Sequence, residues 1–215
     1  MSLRLYYHPL SSFCQKALIA LYENGTPFER EFIDLFDAQS RAKLVALWPL
    51  AKFPVLRDES RDWTVPESSI IIEYLDQHYP GPARLIPADA DLARQTRSRD
   101  RFYDLHVNVP MGKIVTDRLR PEGCNDSYGV EQAKAALQTA YDMVEQDMVS
   151  KTWAMGDSFS MADCAAAPAL FYANLVIPFG PAHPRTAAYL GRLMERPSYA
   201  RVFKEAQPYL ANVPN

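Results

Sequence analysis

The sequence lacks a long apolar stretch, an excess of basic charge and a set of paired cysteines, and each shortage excludes a class of protein. No segment approaches the ~20 apolar residues that a transmembrane helix needs, and the first ten residues lack the apolar core of a secretory signal. With 23 basic and 26 acidic residues, the net charge of −3 does not favour nucleic acid as a partner. We therefore expect a cytoplasmic protein that binds neither membranes nor nucleic acid.

The cysteines and histidines do not suggest a disulfide framework or a metal site. Cys14, Cys124 and Cys164 are odd in number and far apart, which is typical of reduced thiols in a cytosol-like compartment. The 4 histidines are scattered, and no Cys/His spacing resembles a metal site. We expect no metal cofactor. With 48% hydrophobic residues in 215, the chain can form a core without disulfides or metals.

The sequence does contain a clear change of pattern near residue 80. Before it, strand and helix signals alternate in the order β-α-β-α-β-β-α, which predicts an α+β domain over residues 1–80. Residues 80–82 read Pro-Gly-Pro and break the chain, so residues 81–89 are interpreted as a linker. After that, apolar residues recur with helical spacing, which predicts an all-α domain over residues 90–215.

The first candidate site is the turn between the first predicted strand and the first predicted helix. Ser11 and Ser12 lie in this turn, shortly before Cys14. A helix N-terminus presents free N–H groups and a partial positive charge, so it stabilises an anion such as a thiolate. A hydroxyl placed there can also donate a hydrogen bond to a thiolate and lower the thiol pKa from about 8.5. The alternative is that either serine only caps the helix.

Two further candidate segments lie later in the predicted α+β domain. Pro54 precedes the third predicted strand, and a cis bond there would turn the Phe53 backbone toward a peptide-like ligand. A proline at this place is also often purely structural. Glu67 and Ser68 open the third predicted helix. They suit either a helix cap or the binding of a γ-glutamyl group, which carries an ammonium and a carboxylate on one carbon.

Together these segments resemble the cytosolic glutathione transferase family, and the resemblance extends along essentially the whole chain. The matching segments are SSFCQK, KFPVL and PESSIIIEYL, followed in the second half by GDSFSMAD, which is similar to the capping motif of the family. The resemblance implies a thioredoxin-like N-terminal domain that binds glutathione, followed by an all-helical domain. It also implies a homodimer with a role in detoxification, and a structural role for the capping residues Ser160 and Asp163.

The resemblance implies that Ser11 activates glutathione. Ser11 falls where serine-type members, such as theta-like and zeta-like ones, place the hydroxyl that holds glutathione as a thiolate. Ser12 is adjacent and is the first alternative. Other members use a tyrosine near the end of the first strand, where Tyr6 and Tyr7 lie, or a cysteine in the turn, where Cys14 lies.

The resemblance also assigns residues to the rest of glutathione, which it implies as a co-substrate. The backbone of Phe53, beside the cis-proline position Pro54, would pair with the cysteinyl part. Lys52 would contact the glycyl carboxylate. Glu67 and Ser68 match the pair that holds the γ-glutamyl end.

The second substrate is expected to be a hydrophobic electrophile bound in an apolar pocket between the domains. Four residues of the predicted helical domain are candidates for lining this pocket, and each could instead be a core residue. They are Tyr103, His106, Met111 and Phe171.

We therefore predict a glutathione transferase, in which the bound thiolate attacks an electrophilic small molecule. One alternative on the same scaffold is a glutathione-dependent isomerase of the maleylacetoacetate type, although Phe13 here separates the serine pair from Cys14. Another is a thiol-disulfide reductase, which requires Cys14 to be exposed. A third is a non-enzymatic interaction protein that reuses the fold.

Overall fold

A computed structural model describes residues 2–212 of the chain, and its first part alternates strands and helices. The strands and helices occur in the predicted order β-α-β-α-β-β-α, which confirms the thioredoxin-like fold class. They are β1 (Leu3–Tyr7), α1 (Ser12–Glu23), β2 (Glu29–Phe32), α2 (Ala38–Leu47), β3 (Val55–Asp58), β4 (Trp63–Pro66) and α3 (Ser68–His78).

The four strands form one mixed sheet in the order β2-β1-β3-β4. β1 runs parallel to β2 and antiparallel to β3, and β4 is antiparallel to β3. Leu5 of β1 packs with α1 and α3 in the main core, while Tyr6 packs with Leu44 of α2 in a smaller cluster. β1 is therefore covered on both faces, unlike the half-buried strand that its alternating sequence suggests.

The second part of the described chain is built from helices, which confirms the all-helical class. They are α4 (Ala90–Phe102), α5 (Val109–Asp117), α6 (Ser127–Asp147), α7 (Met161–Val176), α8 (Pro184–Glu195) and α9 (Pro197–Ala206). A π-helical segment, Tyr103–Asn108, joins α4 to α5, and a short 3₁₀ helix, Gln207–Asn212, follows α9. Within residues 2–212, none of the helices is both long and apolar enough to cross a membrane.

A buried ionic cluster joins the two parts of the chain. Lys16 of α1 is 1% exposed, and its Nζ lies 2.7 Å from Asp100 Oδ1 and 2.8 Å from Asp104 Oδ2. The same Nζ donates to Ser69 Oγ of α3 at 2.8 Å. Asp100 belongs to α4 and Asp104 to the π-helical segment, so this one ammonium group connects α1, α3 and the helices that follow residue 90.

Candidate functional site

The start of α1 carries the two candidate serines. Ser11 is the N-cap, because its Oγ accepts a hydrogen bond from the Cys14 N–H at 3.3 Å. Ser12 is the first residue of the helix, and both serines are half-buried. Since the cap uses Ser11 Oγ as an acceptor, the cap does not consume the hydroxyl proton, which can be donated to a ligand anion. Capping and ligand activation are therefore compatible roles for Ser11.

Cys14 lies one turn into α1 and is completely buried, with 0% of its surface exposed. Burial raises the pKa of its thiol to about 12, and the opposing effect of hydrogen bonding with Ser11 is smaller. A thiol in this environment stays protonated at neutral pH and is a poor nucleophile. The reductase alternative required an exposed Cys14, and this condition is not met.

The two tyrosines at the end of β1 lie in different surroundings. Tyr7 is 8% exposed and belongs to the main core, where burial raises the pKa of its hydroxyl and the nearby Arg30 opposes that shift. Tyr6 lies in the smaller cluster with Leu44 and Val55. Successive side chains of a strand point to opposite faces of the sheet, which explains this difference.

One surface cavity contains all five residues assigned to glutathione binding. The peptide bond between Phe53 and Pro54 is cis and leads into β3. The residues that line the cavity come from α1, the segment before β3, the start of α3 and the start of α5. They are Phe13, Trp48, Lys52, Phe53, Pro54, Glu67, Ser68 and Val109. Phe13 follows the two candidate serines directly, so the N-terminus of α1 is next to this cavity, although neither serine is among the described residues that line it.

The start of α3 has an unusual backbone that bears on the capping alternative. Glu67 occupies the N-cap position with φ of 70°, in the left-handed region that residues other than glycine seldom adopt. Its side chain makes no capping hydrogen bond and is exposed. Ser68 is 4% exposed at the first helical position. The Glu67 carboxylate is therefore not used as a side-chain cap, and it remains available to a cationic group.

Sequence reasoning missed three of the residues that line this cavity. Phe13, Trp48 and Val109 carry no catalytic chemistry, so no motif marks them. Val109 is 54% exposed at the start of α5, and it is the contribution of the helical part of the chain to the cavity. Its exposure is a property of the fold, so the sequence carries no signal that could have identified it.

None of the four residues predicted to line the second-substrate pocket is among the residues within 2–212 that line this cavity. Tyr103 and Met111 are core residues, with 1% and 7% of their surfaces exposed. Phe171 packs against Phe203, with ring centroids 5.1 Å apart. His106 is exposed on the π-helical segment. Their role in substrate binding stays a prediction. In the same described residues, no group of three or more His, Cys, Asp or Glu could hold a metal ion.

Comparison with known protein families finds one matching domain in each half of the chain. The model of the glutathione S-transferase N-terminal domain matches residues 5–83. The model of the glutathione S-transferase C-terminal domain matches residues 127–192. The chain belongs to the cytosolic glutathione S-transferase family. The two matches follow each other in the order that the family resemblance implied.

Individual relatives of this glutathione S-transferase family member span nearly its whole length. Glutathione S-transferase GstB of Escherichia coli (strain K12) is 26% identical over 203 residues, covering 89% of this chain and 93% of the relative. A stringent starvation protein A homolog of Coxiella burnetii is 29% identical over 219 residues, covering 97% and 95%. The crystal structure of a glutathione S-transferase from Methylobacillus flagellatus with glutathione bound has a TM-score of 0.86 and 26% identity, covering 94% and 98%.

Proposed function

We propose that this family member is a glutathione transferase that holds glutathione as a thiolate for attack on a hydrophobic electrophile. The observation that carries the proposal is the single cavity lined by Lys52, Phe53, Pro54, Glu67 and Ser68, with the N-terminus of α1 at its border. A solved relative with glutathione bound supports the same ligand. We further propose residues 1–80 and 90–215 as the two domains, and a cytoplasmic homodimer as the working form.

The proposed binding mode matches the charges of glutathione to those of the cavity. Glu67 receives the γ-glutamyl ammonium, and the N–H groups at the start of α3, together with Ser68, receive the γ-glutamyl carboxylate. The backbone of Phe53, next to Pro54, pairs with the cysteinyl part. Lys52 attracts the glycyl carboxylate. This orientation directs the thiol toward the N-terminus of α1, which supports Ser11 as its partner.

In the proposed mechanism, Ser11 stabilises the thiolate and does not take up its proton. The thiol proton passes to solvent, and the Ser11 hydroxyl then donates a hydrogen bond to the sulfur anion, assisted by the partial positive charge of α1. A sulfur electron pair forms the bond to the electrophilic carbon, and the leaving group departs with the electron pair of the broken bond. Each product molecule consumes one glutathione.

The decisive experiment is a pH titration of thiolate ultraviolet absorbance for protein-bound glutathione, in the unmodified protein and in Ser11→Ala. We expect the bound thiol to have a pKa well below that of free glutathione, because the bound anion is stabilised. Ser11→Ala should raise that pKa and lower turnover about 10–1000-fold with little change in glutathione affinity, as expected for a donor that acts mainly on the reacting anion.

Two matched variants make this test specific. Ser12→Ala removes the neighbouring hydroxyl from the same helical turn and should leave the thiol pKa close to that of the unmodified protein. Ser68→Ala should weaken glutathione binding itself, which calorimetry measures. If Ser12→Ala gave the larger rise in pKa, Ser12 would replace Ser11 in the mechanism. Unchanged affinity in both Ser68→Ala and Glu67→Ala would reject the γ-glutamyl assignment.

The second candidate function is a non-enzymatic interaction protein on the same fold. It is favoured by the 29% identity, over 219 residues, to a stringent starvation protein A homolog, a relative whose name states no transferase activity. The two functions differ in one measurable property, because only the transferase requires a bound thiol with a lowered pKa. Failure to bind glutathione, or binding with an unshifted thiol, would support the interaction protein.

A further inference from the structure

The connection between β1 and α1, residues 8–11, is a tight turn that carries Ser11. The Ser11 N–H donates to the His8 carbonyl at 3.1 Å, which closes the turn. Proline has no N–H, so the carbonyl is the only backbone hydrogen-bonding group that Pro9 offers. Pro9 is buried, and a buried carbonyl without a partner destabilises the conformation that contains it. The conformation of the turn therefore depends on what binds the Pro9 carbonyl.

Gln15 of α1 binds this carbonyl with its side chain. It is 2% exposed, and its Nε2 donates to the Pro9 carbonyl at 2.8 Å. Its backbone N–H donates to the Ser11 carbonyl at 2.9 Å. Because a carbonyl can only accept, the NH₂ end of the amide must face Pro9, which fixes the orientation of the side chain. Gln15 thus holds the backbone at two points, at Ser11 and two residues before it.

The same amide group also binds the helical part of the chain. The second proton of Gln15 Nε2 is donated to the Tyr172 hydroxyl of α7, at a distance of 3.0 Å. Tyr172 is 6% exposed, and burial raises the pKa of its hydroxyl to about 12, so the hydroxyl stays neutral near pH 7. α1 and α7 also share the main core. Gln15 therefore connects the turn that carries Ser11 to a buried helix of the other part of the chain.

A glutamine is an unexpected residue for this buried position. Residues 14–21 of α1 are all buried, and Gln15 and Lys16 are the polar members among apolar neighbours. Lys16 belongs to the ionic cluster between the two parts of the chain. An amide is costly to bury unless it is hydrogen-bonded, and an apolar side chain would fill the same space without that cost. The two side-chain hydrogen bonds of Gln15 therefore indicate a role directed at the turn and at α7.

We propose that Gln15 is a positioning residue, which holds the turn of residues 8–11 so that the Ser11 hydroxyl is directed at the sulfur of bound glutathione. This proposal rests on the proposed transferase function. Gln15 is not among the residues within 2–212 that line the glutathione cavity, so it acts through Ser11. A hydrogen bond weakens steeply as its angle departs from linear, and a turn held in one conformation keeps the donor aligned as the thiolate forms.

The test measures the pKa of the bound glutathione thiol, by its ultraviolet absorbance, in Gln15→Met. Methionine has a similar length and no N–H, so this variant leaves the Pro9 carbonyl without its donor. We expect the thiol pKa to rise toward that of Ser11→Ala. We also expect kcat to fall about 10–100-fold, since a displacement of about 1 Å can have an effect of that size. The affinity for glutathione, measured by calorimetry, should change by less than about 3-fold.

A double variant separates positioning from general damage to the fold. In the Ser11→Ala background, Gln15→Met should have little further effect on the thiol pKa or on kcat, because the hydroxyl that it positions is gone. A residue with a purely structural role would lower kcat by the same factor in both backgrounds. Equal factors would therefore overturn the proposal.

Tyr172→Phe tests the connection to α7, and it decides the question alone if circular dichroism shows that Gln15→Met does not fold. It removes one acceptor of Gln15 and should raise the thiol pKa and lower kcat about 2–10-fold, as expected for one hydrogen bond. Tyr141→Phe is the matched control, because the Tyr141 hydroxyl donates to the Ile177 carbonyl at 3.1 Å within the helical part. This control should leave the thiol pKa unchanged. Equal changes in the two variants, or none in either, would overturn the proposal.

The same titration distinguishes failure of this proposal from failure of the function on which it rests. An unshifted thiol in the unmodified protein, or no binding of glutathione, would overturn the proposed function and the role of Gln15 with it. A lowered thiol pKa in the unmodified protein that stays equally low in Gln15→Met would overturn the role of Gln15 alone.

Discussion

At the scale of single residues, burial gives different reactivity to side chains that are close together in the sequence. Ser11 and Cys14 are three positions apart at the start of α1, and both can serve a glutathione enzyme. Cys14 is fully buried and its pKa is raised to about 12, whereas Ser11 is half-buried, two positions before Phe13, which lines the cavity. This contrast favours a hydroxyl donor over a thiol nucleophile.

Asp58 shows how strongly burial and hydrogen bonding compete at one carboxylate. It is 0% exposed and accepts from the hydroxyls of Tyr79 at 2.5 Å, Tyr74 at 2.8 Å and Ser60 at 2.7 Å. Burial raises the pKa of the carboxyl, but these hydrogen bonds outweigh it and lower the pKa to about 2, below the usual 3.8. Because the pKa of Asp58 is lower in the folded state than in the unfolded state, the ionised carboxylate stabilises the protein at pH values above about 3.8, its ordinary pKa.

This stabilisation should therefore be lost as the pH falls from about 4 to about 2. The Asp58→Asn side chain cannot titrate, so this variant should be less stable than the unmodified protein at pH 5. Between about pH 4 and about pH 2, its free energy of unfolding should fall by about 1–2 kcal/mol less than that of the unmodified protein. Urea unfolding at several pH values measures both chains. Parallel losses of stability in the two proteins would show that Asp58 makes no net contribution to acid sensitivity.

At the scale of helices, one carboxylate organises the start of α7. Asp163 Oδ2 accepts from the N–H and hydroxyl of Ser160 at 2.9 and 3.0 Å, which is the capping box that the sequence predicted. Its Oδ1 accepts from the Ala154 N–H at 2.8 Å and from the Tyr189 hydroxyl at 2.6 Å. Asp163 thus connects α7 to the preceding loop and to α8, which explains a structural role.

Asp163→Ala should lower the free energy of unfolding by about 3 kcal/mol or more, because it leaves several buried donors without a partner. Ser160→Ala should cost about 1 kcal/mol, as loss of an N-cap usually does. Asp157→Ala is the matched control, since Asp157 is exposed in the same segment and should change stability by less than about 0.5 kcal/mol. Urea denaturation measures all three, and an effect of Asp163→Ala equal to that of the control would contradict this account.

The π-helical segment contains two of the four predicted second-substrate residues, Tyr103 and His106, and neither is among the described residues that line the cavity. Helical spacing after residue 90 predicts ordinary α-helical turns, but Tyr103–Asn108 winds with the wider π repeat. Asp104 is buried against Lys16, while Val109 is exposed and lines the cavity. A π segment leaves no distinct apolar period in the sequence, so the orientation of the following side chains was not predictable.

At the scale of the whole molecule, the buried Lys16 cluster joins the two parts of the chain. Its charges are almost wholly removed from water, with side-chain exposures of 1% for Lys16, 1% for Asp100 and 7% for Asp104. Desolvation raises the pKa of Asp100, and the nearby Lys16 ammonium opposes that rise. Removing one partner from such a cluster leaves uncompensated buried charge, which is usually more costly than losing a surface ion pair.

Lys16→Met should therefore lower the free energy of unfolding by about 3–5 kcal/mol. Lys43→Met is the matched control, because Lys43 pairs with Glu31 at 2.8 Å but its side chain is 62% exposed. That exposed pair should contribute less than about 1 kcal/mol. Guanidinium unfolding measures the difference. Equal effects of the two substitutions would show that the buried cluster does not hold the two parts together.

Much of this organisation follows from local sequence pattern. The alternation of strands and helices before residue 80, the helices after it and the capping box of α7 depend on side-chain period and turn chemistry, which the sequence carries directly. The family membership follows from the same segments. The roles of Ser11, Glu67 and Ser68 stay predictions that the proposed experiments test.

What the sequence alone determined is the class of each element, the family and the residues whose chemistry suits glutathione. Only the tertiary structure decided which of them share a cavity, that Cys14 is buried, and that Lys16 pairs with Asp100 and Asp104. The physical reason is that secondary structure depends on neighbours along the chain. Burial and pKa depend on contacts between segments as distant along the chain as α1 and α4, which no local period records.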